Sequence, residues 1–393
     1  MLRRRIAVIS PFIDKRHGTE RRVAELVSRL SEEYEFHIYS TRVEDVDLGR
    51  VVWHRVPRLR APHFIAYMWW FLANQTIRWR HKRRGMVPDL VYSPGVNCFD
   101  ADLISVHIVF GQFRRQAAHA LGLKQNPFTA WPRILHRRLY YRLIAALEPV
   151  IYSRPGVRLA AVSNKIATDL KERCSVPGEI TVIYNGLDLG CFSPQNRSRL
   201  RDGSRHALSI RDDEFVLLLI GNDWRNKGLN CLIAAMAEIA DSRLRALVVG
   251  NDDAHPFFSS IARLGLADRI TFCPPRADVE AYYAAADVYV GASLDDAFAQ
   301  PPAEAMACGL PVITSRTNGG SEIIANGCSG LVLENPLDSH MLARMIKDLM
   351  SDPALRTRLG AAACETASQY TWDRNVCQMR DLFEMALKKS AAR

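Results

Sequence analysis

The 393-residue sequence has no Cys-x-x-Cys pair, no uninterrupted apolar run approaching twenty residues and no internal repeat. The missing pairs remove the usual zinc and dithiol redox motifs. Nine cysteines, an odd number scattered from Cys98 to Cys377, read as reduced and mostly buried thiols. The longest apolar stretches, near residues 65–73 and 143–151, fall short of the roughly 20 residues that span a bilayer. The opening is basic, but its apolar run lasts about five residues before Pro11, so it reads as a first strand and not as a signal peptide. These features predict a cytoplasmic chain, at most attached peripherally to the inner face of a membrane. Without a period of about 20 to 50 residues, repeat arrays are also excluded.

What remains is a soluble globular composition, 48% hydrophobic and 24% charged. The length suits two domains, each large enough to bury a core. The net charge of +10 is uneven: residues 1–175 carry 30 Lys and Arg against 15 Asp and Glu, and the rest 22 against 27. A basic first half calls for an anionic partner, with nucleic acid and an acidic membrane surface as the broad candidates.

Short apolar runs at residues 6–10, 36–39, 51–56, 90–92, 103–106 and 159–162 alternate with helical or polar segments. A polar, basic stretch at residues 193–205 then interrupts the rhythm and suggests a linker. The pattern restarts at 215–220, 246–249, 270–272, 288–290, 312–314 and 330–333. The reading is α/β, with two Rossmann-like doubly wound domains facing across a cleft, over residues 1–192 and 193–370, and a terminal helix over 371–393 that returns to the first domain. In such sheets chemistry belongs to the loops beyond the carboxyl ends of the strands.

Two segments stand out. In Leu217-Leu-Leu-Ile-Gly221-Asn222-Asp-Trp-Arg225-Asn-Lys227-Gly228 a strand delivers a glycine loop and two cations to a helix start, which suits a diphosphate. An ordinary strand-to-helix loop with solvated basic residues would look the same. The second segment is Asp296-Ala-Phe-Ala299-Gln300-Pro301-Pro-Ala-Glu304-Ala-Met-Ala-Cys-Gly309-Leu-Pro311, with two carboxylates eight positions apart. Carboxylates accept paired hydrogen bonds from sugar hydroxyls. The same acids could equally be a surface pair beside a helix end.

Together with Asn185-Gly186-Leu-Asp188, Tyr282-Tyr-Ala-Ala-Ala-Asp287 and Asn318-Gly319-Gly320-Ser321-Glu322, these segments resemble the family 4 glycosyltransferases, retaining enzymes of GT-B fold. The loop Gly221 to Gly228 is most like that of lipopolysaccharide core glucosyltransferases. The resemblance implies a nucleoside diphosphate sugar as donor, with its diphosphate on Arg225 or Lys227, its ribose on Glu304 and the transferred sugar on Asp296. Gly221, Asn222, Ala299, Gln300 and Pro301 complete the implied donor contacts, and backbone around Pro275 and Arg276 would hold the base. Asn222 stands where the family has a cation, Asp296 where it has glutamate, and Ala299 where it prefers glycine.

In the first half, His17-Gly18-Thr19-Glu20-Arg21 resembles the family's glycine-rich loop, placing Gly18 and Thr19 at the donor. His107 matches a histidine that faces the donor sugar, although a lone histidine after a strand is more often structural. Asp100-Ala-Asp102 copies a metal-binding Asp-x-Asp but reads as a capping or loop pair, so no metal and no cofactor are expected. Basic stretches at 78–84, 114–115 and 133–142 mark the first half. In the last, Leu135, Leu139, Leu143 and Leu147 share one helical side, and such a helix can rest on anionic lipid or dock on its own core. The expected reaction moves a hexose, from UDP-hexose in preference to GDP-mannose, to a hydroxyl of a lipid-linked or cell-envelope glycan. The competing readings are a nucleotide-sugar epimerase and a non-catalytic protein that binds nucleic acid or another anionic surface. An anionic membrane surface is the further expected partner, and nucleic acid is not.

Overall fold

The computed structural model of the protein describes residues 3–15, 18–116 and 131–391. It divides into two compact units, Met1–Tyr184 with Asp373–Arg393, and Asn185–Trp372. The junctions follow Tyr184 and Trp372, where the sequence suggests residues 192 and 370. Near them, within the second unit, the Leu187 N–H donates to the Tyr370 carbonyl at 2.8 Å.

In the first unit the strands are β1 (Arg4–Ile9), β2 (Phe12–Ile13), β3 (Tyr34–Ser40), β4 (Arg42–Val43), β5 (Val52–Arg55), β6 (Leu90–Pro94), β7 (Leu103–Val106), β8 (Arg158–Ala161) and β9 (Ile180–Val182). Seven of them form one sheet in the order β5-β3-β1-β6-β7-β8-β9, with every pair parallel. The helices are α1 (Gly18–Leu30), α2 (His63–Arg83), α3 (Phe110–Gln116), α4 (Trp131–Tyr152) and α5 (Asn164–Cys174). Val23, Leu26, Val27 and Leu30 of α1 pack against Ile6, Val8, Phe36 and Ile38 of the sheet. From the far end of the chain, Val376, Met379, Phe383 and Leu387 join the same core.

The second unit opens with α6 (Pro194–Ala207) and continues with β10 (Phe215–Ile220), α7 (Leu229–Ala237), β11 (Leu244–Val249), α8 (His255–Arg263), β12 (Ile270–Cys273), α9 (Glu280–Ala285), β13 (Val288–Gly291), α10 (Gln300–Ala307), β14 (Val312–Ser315), β15 (Leu331–Leu333), α11 (Ser339–Ser351) and α12 (Pro353–Ala367). Its sheet runs β12-β11-β10-β13-β14-β15, all parallel. Strand order reverses between β10 and β13, so the loops after those two strands diverge and leave a crevice at the carboxyl edge.

The stretch read as a linker is helix α6. Ser193 caps it by accepting from the Asn196 N–H at 3.3 Å, and Pro194 occupies its first turn. Its arginines are spent on the carbonyl end of α9 and the chain just beyond. Arg197 donates to the Ala286 carbonyl, Arg201 to Ala284, Ala286 and Asp287, and buried Arg205 to Ala285. Composition suggests solvent here because it does not show that the charged heads are hydrogen-bonded.

The side of α4 that packs inward is not its leucine side. Ile134, Ile144 and Ile151 are buried, whereas Leu135 and Leu139 stand about half exposed beside Arg133 and Arg137, and Leu143 and Leu147 are half-buried. On α2, Tyr67, Trp70, Phe71 and Asn74 face inward. Ile65, Trp69, Leu72 and Trp79 are exposed at helical spacing along one side, with Arg83 over the Trp79 ring. His17 and the side chain of Arg115 lie outside the described residues.

A histidine stack ties the outer strands of the first sheet to α2. His54 Nε2 lies 2.9 Å from His37 Nδ1, and the His54 ring sits 4.6 Å from those of both Tyr39 and His81. Burial, reinforced by the neighbouring His81 and His37, pushes His54 down from 6.5 to about 4. The unfolded chain therefore takes up a proton that the folded chain refuses, so this contribution is complete above pH 6.5 and declines towards about 4. Urea unfolding of the first unit should show a midpoint that drops across that window, and His54→Gln should flatten the drop; an unchanged pH slope in the variant would place the titration elsewhere.

Candidate active site

The crevice of the second sheet is built by two loops that hold each other. After β10, Gly221 has φ +143°, and a Cβ there would lie 2.8 Å from Lys227 Cε. At the end of the loop Gly228, with φ +86°, caps α7 so closely against the first residue after β13 that a Cβ would sit 2.1 Å from the Ala292 carbonyl oxygen. Asn226 completes the join: its carbonyl accepts from the Leu294 N–H at 2.7 Å and its side-chain amide donates to the Asp295 carbonyl at 2.8 Å.

This join brings Lys227 onto Asp296, and the two form an ion pair with both side chains largely shielded from solvent. Asp296 is fixed through its backbone, with its N–H on the Thr317 carbonyl and its carbonyl taking the Gly319 N–H. Arg225 is exposed, and its side chain makes no ion pair or hydrogen bond among the described residues. Asn222 faces another way, its Oδ1 accepting from the Asn251 N–H at 2.8 Å. The Gly228 and Leu229 N–H groups are spent on the Arg225 and Trp224 carbonyls, so side-chain cations carry most of the positive character of this corner.

Glu304 lies in α10 with 7% of its surface exposed, and its Oε2 accepts from the Tyr283 hydroxyl at 2.7 Å. Tyr283 is fully buried against Phe192. The start of α10 is set by Asn318, whose Oδ1 takes the N–H groups of Ala299 and Gly320. Gln300 donates to the Gly186 carbonyl at 3.1 Å. Pro301 and Pro302 have no N–H, so this helix start offers fewer donors to an anion than most. Arg276 forms a two-pronged pair with Asp278 at the surface and lies over Tyr282. Sequence reading quoted Tyr283 and Asn318 within motifs but missed their work, which is to hold Glu304 and the α10 start.

In the first unit Gly18 and Thr19 begin α1, and a Cβ on Gly18 would meet nothing within 4 Å. His107 follows β7, and its Nε2 is buried without a partner among the described residues. Burial, with the charge of nearby Arg22, holds His107 well below its usual range, so its ring is neutral. Arg22 itself is fully buried and touches Met379 Sδ at 3.4 Å. The Asp-x-Asp carboxylates have structural partners: Asp100 pairs with Arg78, and Asp102 accepts the Val91 N–H at 2.8 Å.

Residues 201–366 match the family described as Glycosyl transferases group 1, and residues 16–190 match Glycosyltransferase Family 4. Each half of the chain thus carries a glycosyltransferase family domain. A D-inositol 3-phosphate glycosyltransferase of Thermobifida fusca is 30% identical over 51% of this chain and 48% of that protein. One from Streptosporangium roseum is 30% identical over 54% and 51%. The chain thus spans about half the length of the curated relatives it matches. Among solved structures, WaaG, described as a glycosyltransferase involved in lipopolysaccharide biosynthesis, superposes with TM-score 0.78 at 18% identity, covering 96% of this chain and 99% of that one. Anabaena Alr3699/HepE in complex with UDP and glucose gives 0.69 at 20% identity, covering 97% and 100%. At these identities the likeness shows the fold: two parallel-sheet α/β domains of GT-B type.

The Tyr283 hydroxyl satisfies a buried carboxylate, that of Glu304. Tyr283→Phe should cost about 1–3 kcal/mol in urea unfolding, and a loss below a few tenths would show that Glu304 is held by other groups.

Proposed function

We propose that the protein transfers a hexose, with retention of configuration and without a metal ion, from a nucleoside diphosphate sugar to a hydroxyl of a lipid-linked or cell-envelope glycan. The observation that carries this reading is the placement of Lys227, Asp296 and Arg225 on the two loops at the strand-order reversal of the second sheet. As the bond from the sugar's anomeric carbon to the diphosphate breaks, negative charge grows on the departing oxygens. Arg225 and Lys227 are placed to stabilise that charge, the task often given to a metal. Asp296 then accepts from the sugar hydroxyls and Glu304 from the ribose. UDP-hexose is favoured over GDP-mannose, in keeping with the UDP and glucose bound by HepE.

Donor binding must part Lys227 from Asp296, handing the cation to the diphosphate and the carboxylate to the sugar. Lys227→Ala and Glu304→Ala should each lower turnover at least about a hundredfold, the scale of losing one transition-state contact. Both should also erase the thermal shift given by the matching nucleotide sugar in a UDP, GDP, ADP and dTDP panel. Near-normal turnover in either variant would remove that residue from the donor site.

The first unit is assigned to an anionic membrane surface at which the acceptor is presented. The exposed line Ile65, Trp69, Leu72 and Trp79, ending in Arg80, Lys82, Arg83 and Arg84, combines apolar anchors with cations. No helix among the described residues is long and apolar enough to cross a membrane. Combined Trp69→Ser, Leu72→Ser and Trp79→Ser should abolish co-sedimentation with anionic vesicles and keep the nucleotide-sugar thermal shift; undiminished sedimentation would count against this surface.

A further inference from the structure

Helices α3, α4 and α5 enclose a pocket of about 270 Å³ in the first unit, far above the about 10–15 Å³ that admits one water. Arg114, Arg142 and Arg173 line it, together with Gly111, Glu148 and Cys174. Arg114 and Arg142 are exposed and have no ion-pair or hydrogen-bond partner among the described residues. Arg173 donates through Nη2 to Gln112 Oε1 at 2.9 Å, while its Nε is buried with no partner. Glu148, the one acid of the lining, is buried and fully engaged: Oε1 accepts from the Phe110 N–H at 2.6 Å and Oε2 from the Gly111 N–H at 2.9 Å. It ties α4 to the start of α3 and offsets at most one of the three guanidinium charges. Burial also pushes its carboxyl up to about 7 against the pull of those two N–H groups, which lowers its average negative charge near neutrality.

Three arginines lining one pocket, against a single carboxylate among its lining residues, leave a net positive charge of two or more and several unused planar donors. Guanidinium forks match the tetrahedral oxygens of phosphate, and a dianion balances that charge better than a carboxylate or a diester. We propose that this pocket binds a phosphomonoester, as a second anion site separate from the Lys227 corner. The same chemistry is offered by a soluble sugar or polyol phosphate and by the headgroup of a lipid phosphomonoester.

The test is calorimetric titration of the full chain with sn-glycerol 3-phosphate, using glycerol as the uncharged control. Parallel sedimentation uses phosphatidylcholine vesicles with and without phosphatidic acid. Saturable binding of the soluble ester should weaken at least about tenfold in Arg142→Gln and in Arg173→Gln, the scale of one charge-assisted hydrogen bond, and be unchanged in Lys227→Ala. Because Arg142 is exposed, its variant should keep the wild-type melting temperature. Binding confined to phosphatidic acid vesicles, and weakened by Arg142→Gln, would also support the pocket and assign it to a lipid headgroup. No binding of either probe, binding indifferent to both arginine variants, or binding lost in Lys227→Ala would overturn the proposal. A separate titration with UDP reports on the donor corner, so the two assignments fail independently.

Discussion

Everything at the donor corner depends on the absence of one side chain. Residue 228 takes a left-handed backbone and presses on the Ala292 carbonyl at a distance no Cβ could tolerate. That contact closes the loop after β10 onto the loop after β13, and the Asn226 bonds to Leu294 and Asp295 follow from it. Lys227, one residue earlier, is thereby aimed at Asp296. Without the close approach, two adjacent strands would end in unrelated loops, and the crevice at the strand-order reversal would have walls but no chemistry.

The alternation of short apolar runs and helical segments was readable because parallel strands buried on both faces are nearly continuous in Val, Ile and Leu. Val8 and Ile9, Leu217 to Leu219 and Val248 to Val249 are instances. The glycines and charges of the loop after β10, and the carboxylates Asp296 and Glu304, were equally visible as motifs. Partnership was not visible. Lys227 and Asp296 are 69 positions apart, and no local spacing relates them. Nor does composition distinguish an arginine in solvent from one bonded to carbonyls, which is why α6 reads as a linker. Helix α2 hid for a different reason: it is apolar on both its buried and its exposed side, so periodicity does not separate the face that packs from the face that is left over.

The two units use positive charge differently. In the second, α6 spends its arginines on backbone carbonyls, Arg276 on Asp278 and Lys227 on Asp296, and Arg225 stands unengaged. In the first, Arg78 is tied to Asp100, but cations of α2, α3 and α4 face outward or into the pocket beside Glu148. The excess charge of the first half is therefore largely a surface property, turned away from the core.

The ion pair between Lys227 and Asp296 also bears on how a catalytic cycle would end. A spent nucleotide diphosphate offers Lys227 a partner but offers Asp296 nothing, leaving a shielded carboxylate unsatisfied. Re-forming the pair relieves both groups at once and acts as an internal competitor against the product. On the proposed reading the corner would thus grip an intact donor, which serves both residues, more firmly than the leaving group alone, and a carboxylate proposed to hold the sugar would also help to expel what remains after the sugar has gone.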